Sequence, residues 1–201
     1  MASERSINRG RGAEVFLYTD QEMDAIPRDV NRVRFDPSVI AIPDHAFFDC
    51  RKLEEVELCE GLQEIGDHAF RGCVALKHFT IPSTVKRIGG YAFASVRSPL
   101  SLRLPDGMES IGQYAFFHCT FPNFRIPPLI NTIAQGMFCH CECLFSLELP
   151  ESTREIEAHA FSCCYYLRNL AVPPNAGTGR GLFADCSDFQ QLFGSEAQII
   201  N

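Results

Sequence analysis

A chain of 201 residues with 46% hydrophobic and 21% charged side chains is long enough to bury a continuous core and too apolar to stay disordered. Its formal charge of −7 argues against general attraction to nucleic acid, whose affinity rests on pairing phosphates with Lys and Arg. No apolar run of roughly 18 residues occurs, no Asn-X-Ser/Thr acceptor occurs, and the opening MASERSINRGRGAEVF has charge and glycine where a signal peptide needs an apolar stretch, so a cytoplasmic or nuclear protein without membrane contact is expected.

In chain order, residues 1–14 read as a flexible tail and 15–30 as an N-terminal cap, with its apolar part at Val15–Ile26. A period then begins and governs residues 31–193, leaving 194–201 as a C-terminal tail. Ile42, Ile65, Ile88, Ile111, Ile133 and Ile156 recur at intervals of 23, 23, 23, 22 and 23 residues. Each opens a phrase of one type: IPDHAFFDC, IGDHAFRGC, IGGYAFASV, IGQYAFFHC, IAQGMFCHC and IEAHAFSCC, with a seventh, degenerate copy ending in GLFADC. The Phe column is Phe47, Phe70, Phe93, Phe116, Phe138, Phe161 and Phe183.

Between the phrases lie LKHFTIP, CLFSLELP and LRNLAVP, where apolar and polar residues alternate over strand length. Phe79 and Ile81 are predicted to point inward and Thr80 outward, with Pro82 ending the strand. A further apolar pair closes each coil, as in Leu62 with Ile65, Val85 with Ile88 and Met108 with Ile111. One 23-residue unit cannot bury three such sides alone. Stacked at the parallel-strand spacing of about 4.8 Å, the units align each column into a ladder. The expected fold class is therefore a mainly β or α/β repeat solenoid of about seven coils with parallel strands.

The phrase I-G-x-x-A-F-x-x-C followed by L-x-x-L-x-I-P resembles the BspA-type class of leucine-rich repeats over about Asn31–Phe193. That resemblance implies a right-handed solenoid with its parallel sheet on the concave side, and a surface, adhesion or interaction role. Many members of the class are exported, whereas this sequence opens without a signal. Gly61, Thr84, Gly107, Leu129 and Ser152 stand where the commoner leucine-rich pattern has Asn, so turn carbonyls must find other donors.

Six cysteines share one column three residues after the Phe: Cys50, Cys73, Cys119, Cys141, Cys164 and Cys186, with Val96 in the remaining place. A site that accepts Val wants a small apolar body, so buried structural thiols are expected. The run Cys139-His140-Cys141-Glu142-Cys143 has donors for zinc but not the spacing, because alternate residues of an extended segment face opposite ways. The loop Gly177-Thr178-Gly179-Arg180-Gly181 lacks the dinucleotide spacing and reads as a plain loop. His45, His68 and His159 share a column with Tyr91 and Tyr114, which suggests a stacked surface ladder rather than a catalytic histidine. With no nucleophile elbow, H-E-x-x-H or Walker loop, the sequence points to no enzyme and calls for no cofactor or metal.

Charge breaks the repeat. Residues 44–67 hold eight acids and two bases, and residues 68–105 hold six bases and no acid. Opposite signs on neighbouring coils fix register at little energetic consequence, about 0–1 kcal/mol per exposed pair. The rival reading is a basic docking belt. Since the repeat itself is consumed in making the core, function is expected on the outward strand positions. The central column is Arg34, Glu57, Thr80, Arg103, Arg125, Glu148 and Ala171, flanked by Glu55, His78, Ser101, Asn123, Ser146 and Asn169. Of these, Arg34, Glu57, Thr80, Arg103, Arg125 and Glu148 are the candidate contacts for a protein partner, with Arg103 and Arg125 foremost. The chain is expected as a monomer or a weak oligomer joined through its solenoid ends. A metal- or redox-responsive cysteine module and a cell-surface adhesion protein are the alternatives.

Overall fold

A computed structural model describes residues 15–19, 26–77, 79–97 and 102–186. Among them there are thirteen short strands: β1 (Val15–Tyr18), β2 (Arg32–Phe35), β3 (Ala41–Ile42), β4 (Glu55–Glu57), β5 (Glu64–Ile65), β6 (Arg87–Ile88), β7 (Ser110–Ile111), β8 (Asn123–Arg125), β9 (Thr132–Ile133), β10 (Ser146–Glu148), β11 (Glu155–Ile156), β12 (Asn169–Leu170) and β13 (Gly177–Thr178). Every pairing is parallel and no helix occurs among the described residues, so the mainly β form of the expected solenoid is the one realised, with about six turns described.

Each coil has three sides. The longer strands form a strand face in two separate pieces, β1-β2-β4 and β8-β10-β12. Short strands form a side sheet, again in two pieces, β3-β5-β6-β7 and β9-β11-β13. The repeated Phe phrases form a turn face. Registers follow the period: Val33 faces Val56, Ile42 faces Ile65, and Leu147 faces both Phe124 and Leu170. The side sheet breaks between β7 and β9, where the interval drops to 22 residues.

The core is what the columns dictate. Phe47, Phe70, Phe93, Phe116, Phe138 and Phe161 are almost wholly buried and stack ring on ring at 5.2–6.1 Å. Such ring pairs contribute about 0.5–1.5 kcal/mol each beyond the area they bury. Leu62, Ile65, Val85, Ile88, Met108 and Ile111 close the other corner, as the pattern predicts.

The turn face owes its geometry to a feature the sequence reading did not identify. Two positions in each coil, four residues apart, have positive φ. One column is His45, His68, Tyr91, Tyr114, Gly136, His159 and Gly181, and the other is Asp49, Gly72, Ser95, His118, His140, Cys163 and Asp185. Left-handed backbone at these points turns alternate N–H groups along the stack. His45, Phe47 and Asp49 thus donate to the carbonyls of Asp67, Ala69 and Arg71 one coil on, at 2.7–2.8 Å. Equivalent rows continue to His159, Phe161 and Cys163. His, Asp and Gly tolerate positive φ better than most residues, so both columns were marked in the sequence by their composition.

Segment 15–30 supplies β1, which pairs with β2 from Val15↔Arg32 to Tyr18↔Phe35 and buries Tyr18 against Phe35 and Phe47. The expected tails, 1–14 and 194–201, lie outside the described residues, as do 187–193 at the end of the expected solenoid. One expectation is corrected. Gly177–Thr178 is not plain loop but the strand β13, paired with Glu155–Ile156.

Candidate interaction surface

The outward strand positions are where alternation leads them. In β2, β4, β8 and β10 the middle residue of each buried–exposed pattern is inside, and Arg34, Glu57, Arg125 and Glu148 face solvent. Thr80, Arg103 and Ala171 are exposed as well. Asn123, Ser146 and Asn169 align across β8, β10 and β12, whereas His78 and Ser101 lie outside the described residues.

These side chains are not equivalent electrostatically. Arg34 grips Glu57 with two donors, Nε to Oε2 at 2.5 Å and Nη2 to Oε1 at 3.3 Å. That bond holds the Glu57 carboxyl below its ordinary range and raises the Arg34 guanidinium. Beside it, Arg32 Nε donates to Glu55 at 2.7 Å. Lys77 pairs with Glu54 at 3.3 Å and Arg87 with Glu64 at 2.7 Å. Arg32–Glu55, Arg34–Glu57, Glu54–Lys77 and Glu64–Arg87 all span 23 residues, one coil, so the charge polarity largely serves to pair neighbours in register.

Arg103 and Arg125 stand on successive coils, but among the described residues no parallel pairing joins them: β8 bonds only to β10, and Arg125 is neutralised by Asp106 at 3.0 Å with Glu148 at 4.0 Å. Arg125 instead reaches Asp106, 19 residues earlier in the chain. Arg103 differs. It is exposed and has no ion pair or side-chain hydrogen bond among the described residues.

The column cysteines are buried, as their exchange with Val96 suggested, but they do more than fill space. Cys73, Cys119, Cys141, Cys164 and Cys186 each donate Sγ–H to the Phe carbonyl of the previous coil, at 3.0–3.2 Å. Burial pushes the thiols of Cys73, Cys119, Cys141 and Cys164 far up, and those of Cys139 and Cys186 up to about 11. Such thiols are poor nucleophiles and poor metal ligands, since both roles require thiolate. All ten cysteines are free, Cys143 is exposed while Cys139 and Cys141 are buried, and no cluster of three potential ligands forms among the described residues.

The His/Tyr column stacks over four of its five members; Gly136 ends the stack before His159, whose Nδ1 lies 3.3 Å from Ser162 Oγ. His45, His68, Tyr91 and Tyr114 lie face to face at 4.6–4.9 Å within 10° of parallel. Arg71 donates to His68 Nδ1 at 3.2 Å and lies over the Phe48 and Tyr91 rings. Burial, then His45 and Arg71, lower the His68 pKa. Turn carbonyls that lack the usual Asn find other donors: Thr84 Oγ1 bonds Leu62 O at 2.7 Å while accepting from Gly61 N, Ser152 Oγ bonds Pro128 O, and Lys86 Nζ bonds Gly107 O.

A stack of near-identical coils with a parallel strand face and a phenylalanine spine defines a leucine-rich-repeat scaffold. The model of the BspA-type leucine-rich-repeat region matches in six copies over residues 28–141 and 64–190, and the chain belongs to that family. Among solved structures it is similar to a T. pallidum leucine-rich-repeat protein, at 30% identity and TM-score 0.72, over 87% of this chain and 88% of that one. It is also similar to a Bacteroides ovatus leucine-rich-repeat protein, at 28% identity and TM-score 0.71, over 79% of this chain but only 42% of that one. A leucine-rich cell-surface protein of Faecalibacterium prausnitzii shares the fold at 20% identity and TM-score 0.53, over 77% of this chain and 58% of that one. No curated protein matches.

Proposed function

We propose that this chain is a non-enzymatic interaction scaffold that binds a protein partner through the outward side of its strand face, with Arg103 as the principal contact. One observation supports this above the rest: Arg103 is exposed and, among the described residues, unpaired in a column where Arg34, Glu57, Arg125 and Glu148 already hold opposite charges. A lone guanidinium presents a planar fork suited to a carboxylate, and arginine is enriched among interface hot spots. The partner surface is therefore acidic. Thr80, one coil before, extends the contact with a hydroxyl.

Reversing the charge at Arg103 and Arg125 together tests the proposal. The double variant should melt with the parent, because both side chains are exposed, and should lose an acidic protein that the parent retains from the source cell, with about 1–3 kcal/mol lost per contact. Identical partners at identical affinity would retire the strand face as the binding surface.

A further inference from the structure

Among the described residues the strand face is interrupted at two consecutive coils: no described strand pairs with β4 on its C-terminal side or with β8 on its N-terminal side. The two segments that occupy the gap, Phe79–Ile81 and Leu102–Leu104, make no inter-coil backbone hydrogen bond among the described residues. The inward residues there are also less buried. Val33, Val56, Phe124 and Leu147 are at most 4% exposed, whereas Phe79 and Leu102 are only half-buried.

Behind the gap lies an apolar cavity of about 20 Å³, walled by Phe79, Leu102, Val96, Cys119 and Phe121 among others. It has room for a methyl-sized group, and its apolar lining offers water nothing to bond. The charges around it are distinctive. Of the six bases in residues 68–105, Arg71 is held by His68 and two rings, Lys77 by Glu54, Lys86 by Gly107 O and Arg87 by Glu64. Arg97 and Arg103 are left, both exposed and unpaired among the described residues, and each is the chain neighbour of a cavity wall residue, Val96 and Leu102.

We infer that this gap is a seat for an acidic peptide of the partner: a small aliphatic side chain enters between Phe79 and Leu102 while flanking carboxylates meet Arg97 and Arg103. Backbone groups of Phe79–Ile81 and Leu102–Leu104 that have no inter-coil partner among the described residues supply hydrogen bonds to its main chain. Neither element suffices alone. An isolated cavity takes any apolar group and isolated arginines take any anion, so selectivity comes from having both on one coil. This seat presupposes the strand-face reading and narrows it to one place and one chemistry.

The test uses the full chain and three blocked tripeptides, Glu-Val-Glu, Glu-Gly-Glu and Lys-Val-Lys, each titrated by calorimetry and by amide chemical shifts. Glu-Val-Glu should bind with shifts centred on residues 79–81 and 102–104, Glu-Gly-Glu at least tenfold more weakly, and Lys-Val-Lys not at all. Arg103→Gln should weaken Glu-Val-Glu at least tenfold. Val96→Leu, which fills the cavity with an apolar group, should do the same without lowering the melting temperature. Equal binding of Glu-Val-Glu and Glu-Gly-Glu overturns the proposal by showing charge alone at work, and so does absence of binding by all three. If Arg103→Glu with Arg125→Glu still sheds a protein partner while no peptide binds, the strand-face reading stands and only the peptide seat falls. Should the partner be retained as well, both fall.

Discussion

The turn face and the strand face of this solenoid are built from the same repeat yet differ in continuity. Along the turn face, three rows of N–H···O=C bonds run from His45, Phe47 and Asp49 to Arg180, Leu182 and Ala184, and they cross the 22-residue coil without a break. Tyr114, Phe116 and His118 simply donate to Gln135, Met137 and Cys139, 21 residues on rather than 22, as His159, Phe161 and Cys163 do to Arg180, Leu182 and Ala184. Along the strand face, by contrast, the ladder among the described residues stops after β4 and resumes at β8. The difference teaches where the repeat is constrained. Left-handed turns and a buried ring must recur for the stack to close, and a thiol bonded to the coil before helps wherever Val96 does not take its place, whereas an outward strand residue has only water to satisfy.

If the turn face and its Phe spine carry the fold, damage there should outweigh any change on the strand face. The largest effect is expected for Phe116→Ala, because Phe116 is fully buried among Phe93, Phe124 and Phe138, with ring centres 5.0–6.0 Å away. Truncation should cost about 3–5 kcal/mol, and neighbouring coils should loosen with it. A melting temperature within a degree or two of the parent would mean that the spine is not what holds the coils together.

Gly66→Ala should come next, at about 1–3 kcal/mol. Its added Cβ would lie 2.7 Å from Asp44 N and 2.8 Å from Ile42 O, both backbone, so the coils must part where the turn face meets the side sheet. Chemical denaturation would measure it. An unchanged midpoint would show that this junction has slack the geometry does not suggest.

Cys119→Val should lose only about 1 kcal/mol, since it removes the Sγ–H bond to Phe93 O but keeps an apolar body of the kind Val96 already provides. The same thiols should label slowly in the folded protein even at pH 8, because burial keeps them protonated, and Cys143, the exposed one, should react first. Prompt modification of the column thiols, followed by mass spectrometry of the native protein, would contradict a continuous turn face.

The smallest effect belongs to the strand face. Breaking the exposed Arg34–Glu57 pair by Arg34→Ala should move the melting temperature less than any of the changes above, because solvent screens both side chains. Its sign with pH is fixed by Glu57, whose carboxyl is lowered by Arg34: the contribution is present at neutral pH and disappears as acid protonates Glu57. Parent and variant should therefore converge in stability at acid pH. A gap that persists there would mean the arginine acts through its aliphatic stem.

Much of this molecule was legible in one dimension because each coil repeats the same demand. The Ile and Phe columns set the period, the alternation in LKHFTIP separated Thr80 from Phe79 and Ile81, and exchange of Cys with Val96 placed the thiols inside. Periodicity reports what is averaged over coils, and burial is such a property. Only the tertiary structure decided what depends on individual neighbours. Whether Arg125 meets Arg103 or Asp106 depends on where individual side chains lie on neighbouring coils, which no column shows. The positive φ of His45 and Asp49 likewise follows from the need of their N–H groups to reach the next coil, a constraint between segments 22 residues apart. The interruption at Thr80 and Arg103 has the same origin: whether two strands pair is set by the distance between their backbones, and alternation within each strand cannot encode it.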